Sequence, residues 1–148
     1  MSNVAIIQAR MGSTRLPDKA LVDLGGMPVL AWVVRAARAI PGIDKVAVAT
    51  STRDIDNRIA DWCRSNKVAC HRGSEDDVLA RFRLAVEAEK ATAFLRLTAD
   101  CPLLDPAVCA QVLMLLKGGY SYATNAASGT WPDGLDREAV TAEALFAA

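Results

Sequence analysis

β-rich runs alternate with helix-length segments along this chain, and that alternation constrains the fold more than any other feature. Val4-Ala5-Ile6-Ile7 is a continuous apolar run of strand length, the pattern of a parallel strand covered on both faces. Residues 45–50 (KVAVAT) and 93–98 (AFLRLT) are further runs of this kind, and 68–70 is a shorter one. A helix fits residues 28–40, with Pro28 suited to the first turn and Pro41-Gly42 as the stop. Another fits 54–66, where Ile55, Ile59 and Trp62 recur at helical spacing. Ser74, with Asp77 three residues on, opens a helix through Leu79, Phe82 and Val86 to about residue 89. Asp105-Pro106 opens the next, Asp as cap and Pro at the first position, ending at Lys117-Gly118-Gly119. Residues 120–124 are a fifth strand candidate, and a weaker strand and helix follow near the C-terminus. Such alternation implies right-handed crossovers and a parallel sheet.

The 148 residues suit one domain, and a chain of that size buries roughly 68–70% of its unfolded surface. With 52% hydrophobic residues, a core of that extent is available. Seventeen Lys and Arg balance seventeen Asp and Glu, which excludes wholesale attraction to nucleic acid or membrane. Anion binding must therefore come from a local cluster of cations. Met-Ser-Asn runs straight into an apolar strand without a basic leader, and no apolar run reaches the ~18 residues of a membrane span. The expectation is a soluble, cytoplasmic protein. Cys63, Cys70, Cys101 and Cys109 form no CxxC pair, and His71 is the sole histidine. Zinc needs more ligands at better spacing, so the cysteines read as reduced thiols packed as small hydrophobes.

In parallel α/β sheets, ligands sit beyond the carboxyl ends of the strands. That rule selects two loops. The first reads Gln8-Ala9-Arg10-Met11-Gly12-Ser13-Thr14-Arg15-Leu16-Pro17-Asp18-Lys19. Arg10, Arg15 and Lys19 place three cations within ten residues. Gly12 permits close backbone approach or positive φ, and Ser13 and Thr14 add hydroxyls. Loop N–H groups can point inward as a nest. This composition suits a polyphosphate, each charge-assisted contact contributing roughly 1.5–3 kcal/mol. It is not a phosphate loop of the Gly-Lys-Ser/Thr kind, since Pro17 and Asp18 precede Lys19 and Ala20 follows it. The alternative is a solvated basic turn.

The second loop, Thr98-Ala99-Asp100-Cys101-Pro102-Leu103, carries a lone carboxylate at a strand's end. Asp100 suits Mg²⁺ held between one carboxylate, phosphate oxygens and water; it equally suits a turn cap ahead of Pro102. Asp54-Ile55-Asp56 is formally a DxD, but at the start of a helix it reads as a cap. No nucleophile–base pair stands out. That suits nucleotidyl transfer, which rests on positioning and charge neutralisation.

QARMGSTRLPDKAL resembles the signature loop of the cytidylyltransferases that activate acidic sugars, the acylneuraminate and 3-deoxy-manno-octulosonate cytidylyltransferases among them. The likeness is nearest to the spore-coat polysaccharide biosynthesis F-type branch. VAVATS at 46–51, HRGSEDDVLARF at 71–82, RLTADCPLLDP at 96–106 and DGLDRE at 133–138 agree in the same order. The resemblance implies a Rossmann-like, mostly parallel sheet with helices on both faces, of nucleotide-diphospho-sugar transferase type. It implies Mg²⁺ on Asp100, triphosphate on Arg10, Gly12, Ser13, Arg15 and Lys19, and a pyrimidine against Arg72. For Arg72 the alternative is a surface pair with Glu75 or Asp76. Asn125, Asp133, Asp136 and Glu138 lie in the stretch resembling the family's sugar-acceptor side, with Trp131 as a stacking candidate.

The reaction so implied is Mg²⁺-dependent transfer of a cytidylyl group from CTP to an acidic sugar or sugar phosphate, releasing pyrophosphate. Arg15 and Lys19 would stabilise the leaving group. Family members run well beyond 148 residues, with a later aspartate on the metal and a dimerisation arm. Residues 1–148 are therefore expected as a single nucleotidyltransferase domain lacking the family's C-terminal part, with a homodimer favoured. Two alternatives stay open: a nucleotide-binding module without turnover, and a glycosyltransferase using a nucleotide sugar.

Overall fold

The computed structural model describes residues 2–12, 15–126, 132, 134–135 and 137–148. The elements run β1 (Asn3–Gln8), β2 (Asp23–Leu24), β3 (Met27–Pro28), α1 (Val29–Arg38), β4 (Lys45–Ser51) and α2 (Asn57–Ser65). They continue with β5 (Ala69–Gly73), α3 (Val78–Ala88), β6 (Ala93–Thr98), α4 (Pro106–Met114), β7 (Tyr122–Thr124), β8 (Glu138–Thr141) and α5 (Ala142–Ala147). Six strands form one sheet in the order β5-β4-β1-β6-β8-β7. The pairs β4–β5, β1–β4 and β1–β6 are parallel, and β8 runs antiparallel to both β6 and β7. The mostly parallel α/β sheet implied by the resemblance is the observed architecture, and among the described residues β8 is the strand that departs from the parallel sheet expected from the alternation. β2 and β3 form a separate two-residue ladder, which the periodicity does not reveal.

The pleat of β1 explains why its apolar run is continuous. Ala5 and Ile7 face one core with Leu30, Val33, Ile59, Cys109 and Val112. Val4 and Ile6 face the other with Phe82, Val86, Phe94 and Leu145. Successive strand residues point to opposite faces, so α1, α2 and α4 cover one face and α3 and α5 the other. All four of Val4 to Ile7 are fully buried. The α1 residues Leu30, Val33, Val34 and Ala37 are buried at i, i+3, i+4, i+7 spacing. On the second face the Phe82 and Phe94 rings stack with centroids 5.7 Å apart. Among the described residues no helix is long and apolar enough to cross a membrane. All four cysteines are free thiols.

Helix starts show where local signals compete with tertiary ones. Asp105 caps α4 as expected, accepting the N–H groups of Ala107 at 2.8 Å and Val108 at 3.4 Å. The helix expected from Ser74 starts later, at Val78, where Asp77 is the cap and accepts the Ala80 N–H at 2.9 Å. Ser74 instead accepts the Asp77 N–H through its hydroxyl. The buried Arg81 accounts for the delay, since its guanidinium donates to the carbonyls of Ser74 and Glu75. A Cβ on Gly73 would come within 3.3 Å of the Arg81 backbone and side chain. Strand β5 reaches beyond its expected end, through Arg72 and Gly73.

Candidate functional site

At the carboxyl edge of the sheet, the backbone extends beyond β1 on both sides. Ala9 N–H donates to Ala49 O and Ala99 N–H to Gln8 O, both at 3.0 Å. These bonds fix the starts of both ligand loops against the three central strands. The first loop is then anchored twice. Met11 buries its side chain in the core, and its N–H donates to the Asp56 carboxylate at 2.8 Å. Asp56 is itself buried and accepts the Ser51 hydroxyl on its other oxygen. The expected capping role does not hold, because the Asp56 side chain makes no capping bond to α2. A buried carboxylate must find donors, and it finds them in the loop and in β4.

Around the Met11 anchor, Arg10, Gly12 and Arg15 are exposed. Gly12 does not adopt positive φ, and a Cβ there would meet nothing within 4 Å. Of the two reasons given for a glycine, open approach to the backbone is the one that fits. Asp18 takes the left-handed conformation at φ 61° and starts a tight turn over Lys19–Leu21. Arg58 pairs with Asp18 at 3.1 Å. The turn brings Lys19 Nζ to 3.7 Å from Asp100 Oδ2, joining the two loops. Both side chains remain about half exposed.

Arg10, Gly12, Arg15, Lys19 and Asp100 line a cavity of about 420 Å³. A neighbouring cavity of about 760 Å³ shares Lys19, Arg96, Thr98 and Asp100 with it and extends to Leu135 and Glu138. Partial burial pushes the Asp100 carboxyl up, but hydrogen bonds from Thr98 and Cys101, with the Lys19 ammonium, outweigh it and hold Asp100 below the ordinary aspartate range. Asp100 is thus a carboxylate at neutral pH, on the wall between two cavities. Among the described residues, no group of three or more His, Cys, Asp or Glu could hold a metal by itself. A half-exposed single carboxylate fits magnesium, which takes one or two carboxylates and fills its remaining positions with phosphate and water.

The other expected residues are spread more widely. Arg72 spends its guanidinium on the protein, donating to Ser51 O and Arg53 O at 2.9 Å and to Asn57 Oδ1 at 2.8 Å. Glu75 pairs with Arg53 instead, and Arg72 is not among the residues lining the two cavities. Asn125 clips the β7–β8 connection: its side chain accepts the Arg137 N–H at 2.6 Å and donates to Leu135 O at 3.1 Å. Glu138, at the start of β8, does line the larger cavity. Ser13, Trp131, Asp133 and Asp136 lie outside the described residues. His71 bonds Glu89 at 2.7 Å.

Two residues of the site were not assigned from the sequence. Asp56 anchors the first loop, as above. Arg96, on β6, donates to Gln8 Oε1 at 3.0 Å, approaches Glu138 Oε2 at 3.5 Å and lies 5.6 Å from the centroid of Phe82. A cation inside an otherwise apolar strand was the available signal.

A model of the cytidylyltransferase family matches residues 4–148. The spore coat polysaccharide biosynthesis protein SpsF of Bacillus subtilis (strain 168) is 37% identical over 95% of this chain and 60% of its own. The solved structure of a cytidylyltransferase from Leptospira borgpetersenii serovar Hardjo-bovis (strain JB197) superposes with TM-score 0.91 at 31% identity, over 99% of this chain and 63% of that one. That of CMP:2-keto-3-deoxy-manno-octonic acid synthetase complexed with CTP superposes with TM-score 0.78 at 18% identity, over 99% and 76%, a likeness of fold. The chain spans about half to three fifths of the length of the curated relatives it matches. With a family model over nearly every residue and the family's sheet beneath the two loops, the chain belongs to the cytidylyltransferase family.

Proposed function

We propose that this chain is the nucleotide-binding part of a Mg²⁺-dependent cytidylyltransferase that moves a cytidylyl group from CTP to an acidic sugar or sugar phosphate in polysaccharide biosynthesis. The observation that carries the reading is the meeting of Lys19 and Asp100 at 3.7 Å, from two separate loops, beside a cavity also lined by Arg10 and Arg15. Arg10, Arg15 and Lys19 hold the triphosphate, with Gly12 leaving the backbone open to it. An acceptor oxygen attacks the α-phosphorus and the bond to the β-phosphate bridging oxygen breaks. The electron pair leaves on pyrophosphate, where Arg15 and Lys19 neutralise it. Asp100 would hold magnesium, which supplies Lewis-acid polarisation of the α-phosphoryl oxygen when bound. The acceptor enters from the larger cavity, past Glu138. Asn125 acts there through the backbone it clips. A cytoplasmic setting accords with four free thiols, and a homodimer is part of the same reading.

Pyrophosphate release from CTP and Mg²⁺, measured with a panel of acidic sugars and sugar phosphates, tests the proposal. Release with one acceptor identifies the substrate, and no release with any acceptor defeats the transfer reading. A second reading, nucleotide binding without turnover, is favoured by Asp100 being the one carboxylate among the described residues lining the smaller, cationic cavity. Calorimetry then shows CTP binding while pyrophosphate stays absent.

A further inference from the structure

Arg96 stands on the wall between the two cavities and lines both of them. Its side chain is 39% exposed and that of Glu138 is 33% exposed, so both reach the larger cavity. The guanidinium is incompletely used. One terminal nitrogen donates to Gln8 Oε1 at 3.0 Å. The other meets Glu138 Oε2 at 3.5 Å, a loose contact for a charged pair. Nε is buried with no hydrogen-bond partner among the described residues. An arginine presents a planar fork of donors that matches a carboxylate or phosphate bidentately, and here Gln8 and the Phe82 ring hold that fork in place. Among the described residues Glu138 is the one carboxylate paired with it, and Glu138 is not among the residues lining the smaller cavity with the basic loop. The arrangement is that of a preset cation whose partner is exchangeable.

We infer that Arg96 reads the anionic group of the acceptor, carboxylate or phosphate, and that this group displaces Glu138 from the guanidinium when it binds. The inference rests on the proposed transfer reaction for the word acceptor, and on the structure for the anion site itself. Arg96 and Glu138 together then set the preference for charged over neutral acceptors. An anion compensates Arg96 better than the 3.5 Å contact does, whereas a neutral sugar leaves the existing pair closed.

Two measurements on the full chain separate this inference from the function it builds on. The first follows the Arg96 Nε–H resonance by NMR while acetate, inorganic phosphate, N-acetylneuraminate or glucose 1-phosphate is added, with glucose as the neutral control, with and without saturating CTP. The second is calorimetry of the same anions and of CTP on wild type, Arg96→Ala, Arg96→Lys and Glu138→Gln. The expected result is a saturable shift with an anion in the presence of CTP and none with glucose. Anion affinity should fall at least about 10-fold in Arg96→Ala, be partly kept in Arg96→Lys, and rise about 2–5-fold in Glu138→Gln. CTP affinity should stay within about twofold in Glu138→Gln; in the two Arg96 variants, because Arg96 also lines the smaller cavity, it should fall by clearly less than the anion affinity does. An unmoved resonance with every anion, an equal response to glucose, or a loss of CTP affinity in Arg96→Ala comparable to the loss for anions would overturn the inference. Failure of wild type to bind CTP defeats the proposed function instead, and the titration without CTP still decides the anion site.

Discussion

The buried carboxylate of Asp56 accepts the backbone N–H of Met11 at 2.8 Å, across 45 residues of chain. This bond, with the Ser51 hydroxyl on the second oxygen, ties the cationic loop after β1 to the loop after β4. The loop's shape is therefore set by a group that never touches the cavity.

Replacing that carboxylate tests the tie. Asp56→Ala leaves the Met11 N–H and the Ser51 hydroxyl without their acceptor in a buried place, at a cost of about 1–3 kcal/mol for each orphaned group. Urea denaturation should show that loss. CTP affinity measured by calorimetry on the folded protein should fall about 10-fold, because a released loop must be ordered again on binding. A stability loss with unchanged CTP affinity would disconnect Asp56 from the site.

The loop cations should behave in the opposite way. Arg10 and Arg15 are exposed, and Lys19 is about half exposed. Alanine at any of the three should leave thermal stability within ~0.5 kcal/mol. Each loses a charge-assisted contact of about 1.5–3 kcal/mol, which corresponds to a drop of roughly 10–150-fold in CTP affinity or turnover. Normal CTP affinity in both Arg15→Ala and Lys19→Ala would sink the phosphate assignment.

The sheet was legible because four apolar runs of strand length recur between helix-length segments, and because β1 is buried on both faces. Arg10, Arg15, Lys19 and Asp100 were legible for the same reason, since topology alone puts loops that follow parallel strands at one edge. Asp56 and Arg96 were not. Their roles come from partners 45 and 88 residues away, Met11 and Gln8, and no local pattern announces those bonds. The start of α3 was misplaced for a related reason. Ser74 with Asp77 three residues on imitates a helix cap, whereas Arg81 draws the carbonyls of Ser74 and Glu75 out of the helix.

The depressed Asp100 ionisation gives a pH prediction. A group whose folded value lies below its unfolded one favours the folded state above the unfolded value, and the benefit is lost as pH falls through the folded value. Asp100 should therefore keep its charge in acid that protonates an ordinary aspartate. In Lys19→Met the cation is removed while Thr98 and Cys101 remain, so the Asp100 titration should move up, toward the unfolded value. Carboxyl ¹³C NMR reads this directly. An unchanged titration would mean that the 3.7 Å pair exerts no field on the carboxylate.

Two neighbouring aspartates should separate cleanly. Asp105→Ala removes a cap that serves two N–H groups and should cost about 1 kcal/mol of stability with the Mg²⁺ dependence of CTP binding intact. Asp100→Ala should do the reverse, abolishing that dependence at little cost in stability. Identical behaviour of the two variants would remove the reason to assign the metal to Asp100.

Arg72 poses a sharper choice. All three of its bonds run to β4 and the segment after it, at Ser51, Arg53 and Asn57. Its loss should first cost stability, about 1–3 kcal/mol for a carbonyl left without its donor. Any effect on nucleotide would then pass through the segment that carries Asp56, five residues beyond Ser51 on the same connection. Arg72→Ala should accordingly weaken CTP and UTP by the same factor. A direct hydrogen bond to the pyrimidine requires the guanidinium to leave those carbonyls, and it predicts that the two nucleotides respond differently. Calorimetry with both on the same variant distinguishes a residue that shapes the site from one that reads the base.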